Sequence, residues 1–425
     1  MPSISKKKLK ALGVQVGAQD LKPAPAARRF NSLAQVLSGR EQHTPQGEAF
    51  LVEEHLPLGS PHGRSKLELK APLDILGLCL SIPSLASLPA ESFLFLDTET
   101  TGLSGGSGTF TFLIGAGRFI GSEFVLEQFF LRGLEDEPAQ LHAFEEFLAP
   151  CQAIVTFNGK SFDIPLLQTR FLLQGWQPPF GELFHIDLLH LSRKLWRNRL
   201  PSRTLGNLEI QILDADRTEE DVPGWQIPSL YSEYLLDGDA NRLKPVFYHN
   251  KMDVVSLAVL LDHIANLLSD PIAGAGAYGA DLIATARLFE QIGDIEVAVN
   301  LYFHALQHED AVENRIPREV LLDALTRLAY IHKRQAEFDS AVNIWEQAAG
   351  LQHLAAHVEL AKYYEHHLQD IPAAIEWTHS AIQLLDEPSF KQRSASSNSN
   401  FSQHQMRAEL DHRLIRLQRK TSEKE

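Results

Sequence analysis

The run Ser92-Phe-Leu-Phe-Leu-Asp97 limits the possible folds of this chain more than any other segment. Four consecutive large apolar residues, with no alternation, do not suit a strand with one wet face. They predict a strand covered on both sides, and therefore a sheet lying between helical layers. The run leads directly into Asp97-Thr98-Glu99-Thr100-Thr101-Gly102. Residues two apart on a strand project from the same face, so Asp97 and Glu99 would set two carboxylates roughly 6 to 7 Å apart where the strand leaves the core. Left together they repel and raise each other's proton affinity, unless a cation sits between them. Mg²⁺ or Mn²⁺, hard cations that prefer oxygen ligands, would relieve that repulsion. For either acid alone the plainer reading is the capping of a following turn or helix.

The neighbouring sequence supplies the rest of such a sheet. Residues 111–119 and 123–130 alternate around Ile120-Gly121-Ser122 and read as antiparallel strands, giving a three-stranded meander with the first. Leu141, Phe144, Phe147 and Leu148 recur at helical spacing, Ala153-Ile-Val-Thr-Phe157 returns to strand, and residues 163–174 are helical again. Residues 185–196 read as a further apolar-periodic helical segment, 201–245 as turn-rich, and 246–268 as one long helix. The expectation is an α/β domain over 90–268, a mixed sheet with flanking helices. Residues 1–89 are expected to be a basic, partly disordered arm followed by an irregular lead-in.

Past residue 268 the strand signals stop. Val297-Ala298 with Ala305, Ala341 with Ala348 and Ala374 with Ala381 each place small residues seven apart, and the units follow one another at steps of 43 and 33 residues. Each unit is preceded by a turn element. The pattern resembles the tetratricopeptide repeat, in which small residues let paired helices pack closely; a generic helical bundle is the plainer alternative. Residues 269–386 are therefore expected to form an all-α helical-repeat domain that takes a protein partner. Residues 387–425, rich in Ser, Asn, Gln and charge, are expected to be a solvated polar tail.

Lys+Arg 39 against Asp+Glu 54 gives a net charge of −15. That argues against a general polyanion binder, which needs clustered cations, so any nucleic-acid role has to rest on a local site. Residues 1–44 run against the trend, with eight Lys or Arg and two acids. The two cysteines, Cys79 and Cys151, have no CxxC partner spacing, which suits a reducing compartment. The basic N-terminus lacks the apolar run of a signal peptide, and the uncharged stretch Ile75–Ala90 is too short for a membrane span. The expectation is a cytoplasmic protein with no membrane partner.

Two more segments carry candidate chemistry. In Phe157-Asn158-Gly159-Lys160-Ser161-Phe162-Asp163, a strand end passes into a helix with an acid in its first turn. Taken singly, Asp163 is an ordinary helix-start residue and Asn158 an ordinary turn residue. In Tyr248-His249-Asn250-Lys251-Met252-Asp253, His249 and Asp253 are four apart and so adjacent on one helix face. A protonatable ring beside such a carboxylate suits water activation. Asp187 reads as a further acid near the site or as a helix cap, and Lys160, Arg203 and Arg217 as possible phosphate contacts. Gly105 to Gly108 lacks the Gly-Lys-Ser/Thr ending of a phosphate loop, which argues against nucleoside triphosphate binding.

Asp97-x-Glu99, the Asn158–Asp163 segment and the Asp253 helix, in that order, resemble the three motifs of the DEDD superfamily of 3′ to 5′ exonucleases, which have a ribonuclease H-like fold. The Gly-rich insertion at 105–109 and the His-Asn-x-x-Asp form of the third motif resemble the YprB-like group of predicted nucleases. The resemblance covers residues 90–268. It implies that Asp97, Glu99, Asp163 and Asp253 hold two divalent ions, Mg²⁺ or Mn²⁺, and that the substrate is a single strand or 3′ end of nucleic acid. It also implies that Thr100, Thr101 and Leu103 line the terminal nucleotide; Asn158 is a candidate to position a metal-bound water or the scissile phosphate. The family's general base precedes the last Asp by five positions as His or by four as Tyr; here those positions hold Tyr248 and His249. His249, with an ordinary pKa near 6.5, is the expected base, and Tyr248 the second candidate. The contrasting reading is a non-catalytic scaffold that binds protein through its repeats and keeps a degenerate nuclease-like domain.

Overall fold

The structure, a computed structural model, describes residues 32–102, 108–275, 278–307, 316–387 and 400–422. After a short capped helix, α1 (Leu33–Leu37), the sheet begins earlier than expected. Strands β1 (Arg40–Thr44) and β2 (Gly47–Pro57) form a hairpin, and β2 continues in antiparallel register with a later strand from Phe50↔Phe130 to Pro57↔Glu123. The lead-in expected to be irregular is thus in part an extension of the sheet. Ala49 and Leu51 enter one core and Phe50 and Val52 another, while the polar Glu53-Glu54-His55 that follows obscures the strand pattern in the sequence.

A two-residue hairpin, β3 (Pro61–His62) with β4 (Ser65–Lys66), and helix α2 (Asp74–Leu80) lead to the central strand β5 (Phe93–Thr100). β6 (Thr111–Ile120) and β7 (Glu123–Phe130) complete the antiparallel meander. Helix α3 (Glu137–Leu148) crosses back so that β8 (Ala153–Thr156) lies parallel to β5. Helix α4 (Asp163–Leu173) then leads to β9 (Phe184–Asp187), parallel to β8. The sheet order is β1-β2-β7-β6-β5-β8-β9. The segment expected to be one helix over 185–196 is divided: its first residues are β9, and α5 (Leu188–Trp196) starts only after Asp187. A four-residue strand joined directly to a helix leaves no alternation long enough to read.

Burial on both faces follows the two-residue period of β5. Leu94 and Leu96 pack with Phe144, Leu167 and Phe171 of α3 and α4. Phe93 and Phe95 belong to the opposite core with Val254, Leu257 and Leu261. These last residues lie on α8 (Lys244–Ser269), which is reached through α6 (Leu205–Leu208), one π-turn over Glu209–Leu213, and α7 (Ile227–Asp237). One segment in this part of the chain, Ala240–Ser269, is long and apolar enough to cross a membrane, but 72% of its most apolar window is buried inside the protein. Its apolarity is used in the core.

After the short α9 (Pro271–Ala275), the chain is helical throughout the described residues: α10 (Gly279–Ile292), α11 (Ile295–Gln307), α12 (Arg318–Arg334), α13 (Phe338–Gly350), α14 (Leu354–His366) and α15 (Ile371–Asp386). They pack as α10 with α11, α12 with α13 and α14 with α15. The small pairs Ala298/Ala305, Ala341/Ala348 and Ala374/Ala381 are all buried at these contacts, where a larger side chain would hold the helices apart. The expected solvated tail contains α16 (Asn400–Ser422), which packs on α15. It buries Leu410 and Leu417, and sets Arg413, Arg416 and Lys420 around the fully buried carboxylate of Glu365. Its helical spacing is masked in the sequence by the many polar residues between these anchors.

Candidate active site

The C-terminal ends of β5, β8 and β9 open on the same side of the sheet because the three strands are parallel. Asp97 and Glu99 come from β5, and a break in the β5–β6 register falls just after Glu99. Both acids are strand residues here, so the capping alternative does not apply to them. Asp163 opens α4, and His249 and Asp253 lie on α8. Asp97 and Glu99 both feel the charges of Asp163 and Asp253. Burial pushes the Asp97 carboxyl well above its ordinary range, and the charges of Asp253, Glu99 and Asp163 push it further. Glu99 is raised by the same causes, burial first and then Asp253 and Asp163. Asp163 is raised by burial to about 6 despite the hydroxyl that Thr98 donates to its Oδ1. Asp253 is raised by burial, against the pull of Arg217 and His249.

Arg217 is the cation among these groups. Its guanidinium donates twice to Glu209, through Nε and Nη2 at 2.7 Å each, and Nη2 also donates to Asp253. Nη1 lies 3.4 Å from Asp221 and 3.1 Å from His249 Nδ1. His249 Nδ1 is also 2.7 Å from Asp221 Oδ1, and Nε2 is 3.5 Å from Asp253 Oδ2. A proton on Nδ1 makes the Asp221 bond; an unprotonated Nδ1 accepts from Arg217 instead. The imidazole is therefore held between a carboxylate that orients it and the acid beside which it would act. Arg217, named in the sequence as a possible phosphate contact, is instead the centre of this ion cluster. Arg203 is likewise used internally, donating to the carbonyls of Leu200 and Pro201.

Three supporting groups had no obvious sequence signal. Asn250, fully buried, donates to Asp97 Oδ2 (2.9 Å) and to the Asp97 carbonyl (3.2 Å), and accepts from Gln128 (2.9 Å). Gly115 on β6 makes room for it: a Cβ there would lie 2.1 Å from Asn250 Oδ1. Glu209 and Asp221 come from the turn-rich stretch, where no periodicity marks them. Asn250 lies within the His-Asn-x-x-Asp run itself, and that was the only available clue.

The remaining candidates divide. Asp187 is both helix cap and clamp: it accepts from Leu189 N (3.1 Å), and from Asn158 N (2.8 Å) and Lys160 N (3.2 Å). It thereby fixes the turn in which Asn158 takes a left-handed conformation at φ 68. A Cβ on the next residue, Gly159, would lie 2.5 Å from Thr156, so the turn needs glycine there. The Thr100 hydroxyl donates to Gly102 O (2.9 Å), and that of Thr101 accepts from Phe110 N (3.0 Å), so both hydroxyls shape the loop after β5. The Tyr248 hydroxyl accepts from Thr218 N (3.1 Å). Leu103 and residues 104–107 of the Gly-rich insertion lie outside the described residues.

The donor set of Asp97, Glu99, Asp163 and Asp253 fits a hard divalent cation in its chemistry: carboxylate oxygens only, in excess of the single nearby guanidinium. As the side chains stand, no group of three or more His, Cys, Asp or Glu among the described residues is arranged to hold a metal ion. Arg217 is bonded to one of the four acids instead.

Comparison with known proteins agrees with the fold. A family profile described as the RNase_H superfamily matches residues 94–265. The chain is 32% identical over 294 residues to the uncharacterized protein YprB of Bacillus subtilis, covering 67% of this chain and 68% of that protein. Among solved structures, the family B DNA polymerase of Pyrobaculum calidifontis matches over 66% of this chain at 17% identity, with a TM-score of 0.32. The match spans about a third of that polymerase, 34% of its chain.

Proposed function

Because the chain belongs to the family of Bacillus subtilis YprB and carries a ribonuclease H superfamily domain, we propose that it is a metal-dependent nuclease that trims single-stranded DNA or RNA from the 3′ end. The observation that carries this reading is the gathering of four half-buried acids at one end of the sheet, where Asp163 and Asp253 both act on Asp97 and Glu99. Such a cluster is costly to a fold unless cations use it. Asp97, Glu99, Asp163 and Asp253 would hold two Mg²⁺ or Mn²⁺ ions. Bound divalent ions lower the pKa of water and stabilise charge on a phosphodiester undergoing substitution.

The chain's own residues supply the rest. Asn250 fixes the Asp97 carboxylate, and Thr98 that of Asp163. His249, oriented by Asp221, is the general base, and Tyr248 is the weaker candidate because its hydroxyl is engaged at Thr218. Thr100, Thr101, Leu103 and Asn158 belong to the substrate side, through the loops that follow β5 and β8. In this reading the chain works in the cytoplasm, and its helical pairs act as tetratricopeptide-like units that recruit a protein partner.

One observation favours the scaffold reading: the Arg217–Asp253 ion pair satisfies an acid that a nuclease must keep for metal. End-labelled single-stranded DNA and RNA, incubated with Mn²⁺ and either the wild-type or the Asp97→Ala protein, separate the two readings. Ladders shortening from the 3′ end with wild type, and lost with Asp97→Ala, are expected. Intact strands, together with no divalent-ion binding by calorimetry, would leave only the scaffold.

A further inference from the structure

On a chain of net charge −15, one groove is lined by positive charge alone. It lies where α5, from the α/β region, packs against α10 of the helical region. Arg193, Lys194 and Arg197 line it from α5, and Arg287 and Gln291 from α10, around a cavity of about 210 Å³. Arg287 pairs with Asp323 (2.7 Å), in a neutral set completed by Arg327 and Glu290. Lys194 Nζ reaches Gln291 at 3.5 Å. Arg193 and Arg197 are exposed, and among the described residues neither has an ion-pair partner.

Cations in the last turn of a helix are ordinarily explained by its dipole, worth about 0.3–1 kcal/mol each. Arg287, in the middle of α10, is already held by Asp323. Arginine at both 193 and 197 also carries a repulsion, since like charges four apart weaken a helix by about 0.2–0.5 kcal/mol. A polyanion lying in the groove removes that repulsion. The position is also informative. α5 begins directly after Asp187, the residue that clamps the Asn158–Lys160 turn at the acid end of the sheet. At about 1.5 Å per residue, Arg193 and Arg197 stand roughly 8 and 14 Å along the helix from its start. That span is about four nucleotides of a stacked strand at 3.4 Å each.

We propose that this groove is a phosphate-backbone track for the single strand whose end the acid cluster receives, a proposal that rests on the nuclease reading above. The acids receive the terminal phosphodiester, and the seam between the two regions holds the strand several nucleotides behind it. An acidic protein segment is the competing occupant, and the helix leading back to the acid end favours the strand.

The test uses the full-length Arg193→Gln/Arg197→Gln variant, whose substitutions lie on exposed side chains. Fluorescence anisotropy with EDTA measures its affinity for a labelled strand of about 20 nucleotides, longer than one single-strand site, across a salt series. Loss of two phosphate contacts should reduce the slope of log Kd against log salt by about 1.4, at about 0.7 per phosphate on single strands. Turnover of a dinucleotide, whose one phosphodiester bond lies at the acids and which is too short to reach Arg193, should be unchanged. An unchanged slope and affinity for the long strand, while wild type still cleaves both substrates, overturns the track and leaves the nuclease reading standing. A slope that falls in the variant while wild type cleaves neither substrate supports the track and removes the nuclease. Binding of poly-glutamate that depends on the two arginines, with no binding of the long strand, overturns the track in favour of an acidic protein partner.

Discussion

Two arginines sit among acids in the α/β region, and their surroundings differ instructively. Arg170 of α4 meets one carboxylate, Glu137, through two bonds of 2.5 and 2.7 Å, and its guanidinium lies 4.0 Å from the centre of the Phe110 ring. The two partners match in charge, and both side chains are about 95% buried. Arg217 faces Glu209, Asp221 and Asp253, with Asp97, Glu99 and Asp163 also near by. A single guanidinium cannot balance that many carboxylates. The first pair closes a fold; the second leaves carboxyls at the sheet's open end that burial and neighbouring acids hold above their ordinary range.

Breaking each arginine in turn is the sharpest use of the contrast. Arg170→Met strands Glu137 in the core and should lower stability by about 3–5 kcal/mol. Denaturant unfolding should show this loss to the same extent with and without Mn²⁺. Arg217→Met should destabilise the metal-free protein by less, on the order of 2–3 kcal/mol, because its surroundings already share protons. Here thermal melts should recover with Mn²⁺, and a melt as insensitive to the ion as that of Arg170→Met would erase the distinction.

A smaller effect tests the excess charge through pH. Asp163 has its folded pKa raised to about 6 from an ordinary 3.8, and Asp97 and Glu99 are also raised. A raised carboxyl pKa stabilises the fold while the group is protonated, so the benefit is present below about pH 4 and lost as pH rises through about 6. Melting temperatures in EDTA should carry this falling contribution over that window, and Asp97→Asn should reduce it. Gly115→Ala is the mildest of the set. Its Cβ displaces Asn250 from Asp97 and should cost about 1–3 kcal/mol, with weakened Mn²⁺ binding by calorimetry. Unchanged ion binding in that variant would mean that Asn250 does not orient the acid.

The two arginine environments were not equally legible in sequence. The strand that ends in Asp97-x-Glu99, the helix that opens at Asp163 and the spacing of His249 to Asp253 follow from periodicity, and periodicity is local. Arg217, Glu209 and Asp221 come from a stretch without it, so which acid meets which base is decided only when the chain closes. Asn250 was hidden for another reason: a polar residue on a buried helix face reads as an interruption until its partner, Asp97, is brought across from β5. β1 and β2 were lost behind Glu53-Glu54-His55, and α16 behind its polar spacing.

The shared core beneath α8 has a practical meaning for anyone dividing this chain. Phe93 and Phe95 of the sheet, Val254 to Leu268 of α8, and Leu282, Ile283 and Phe289 of α10 belong to one continuous apolar cluster. A cut at residue 268, where the composition changes, would therefore leave a raw oily face on each fragment. The two regions share one core, and the basic groove between α5 and α10 lies across their junction.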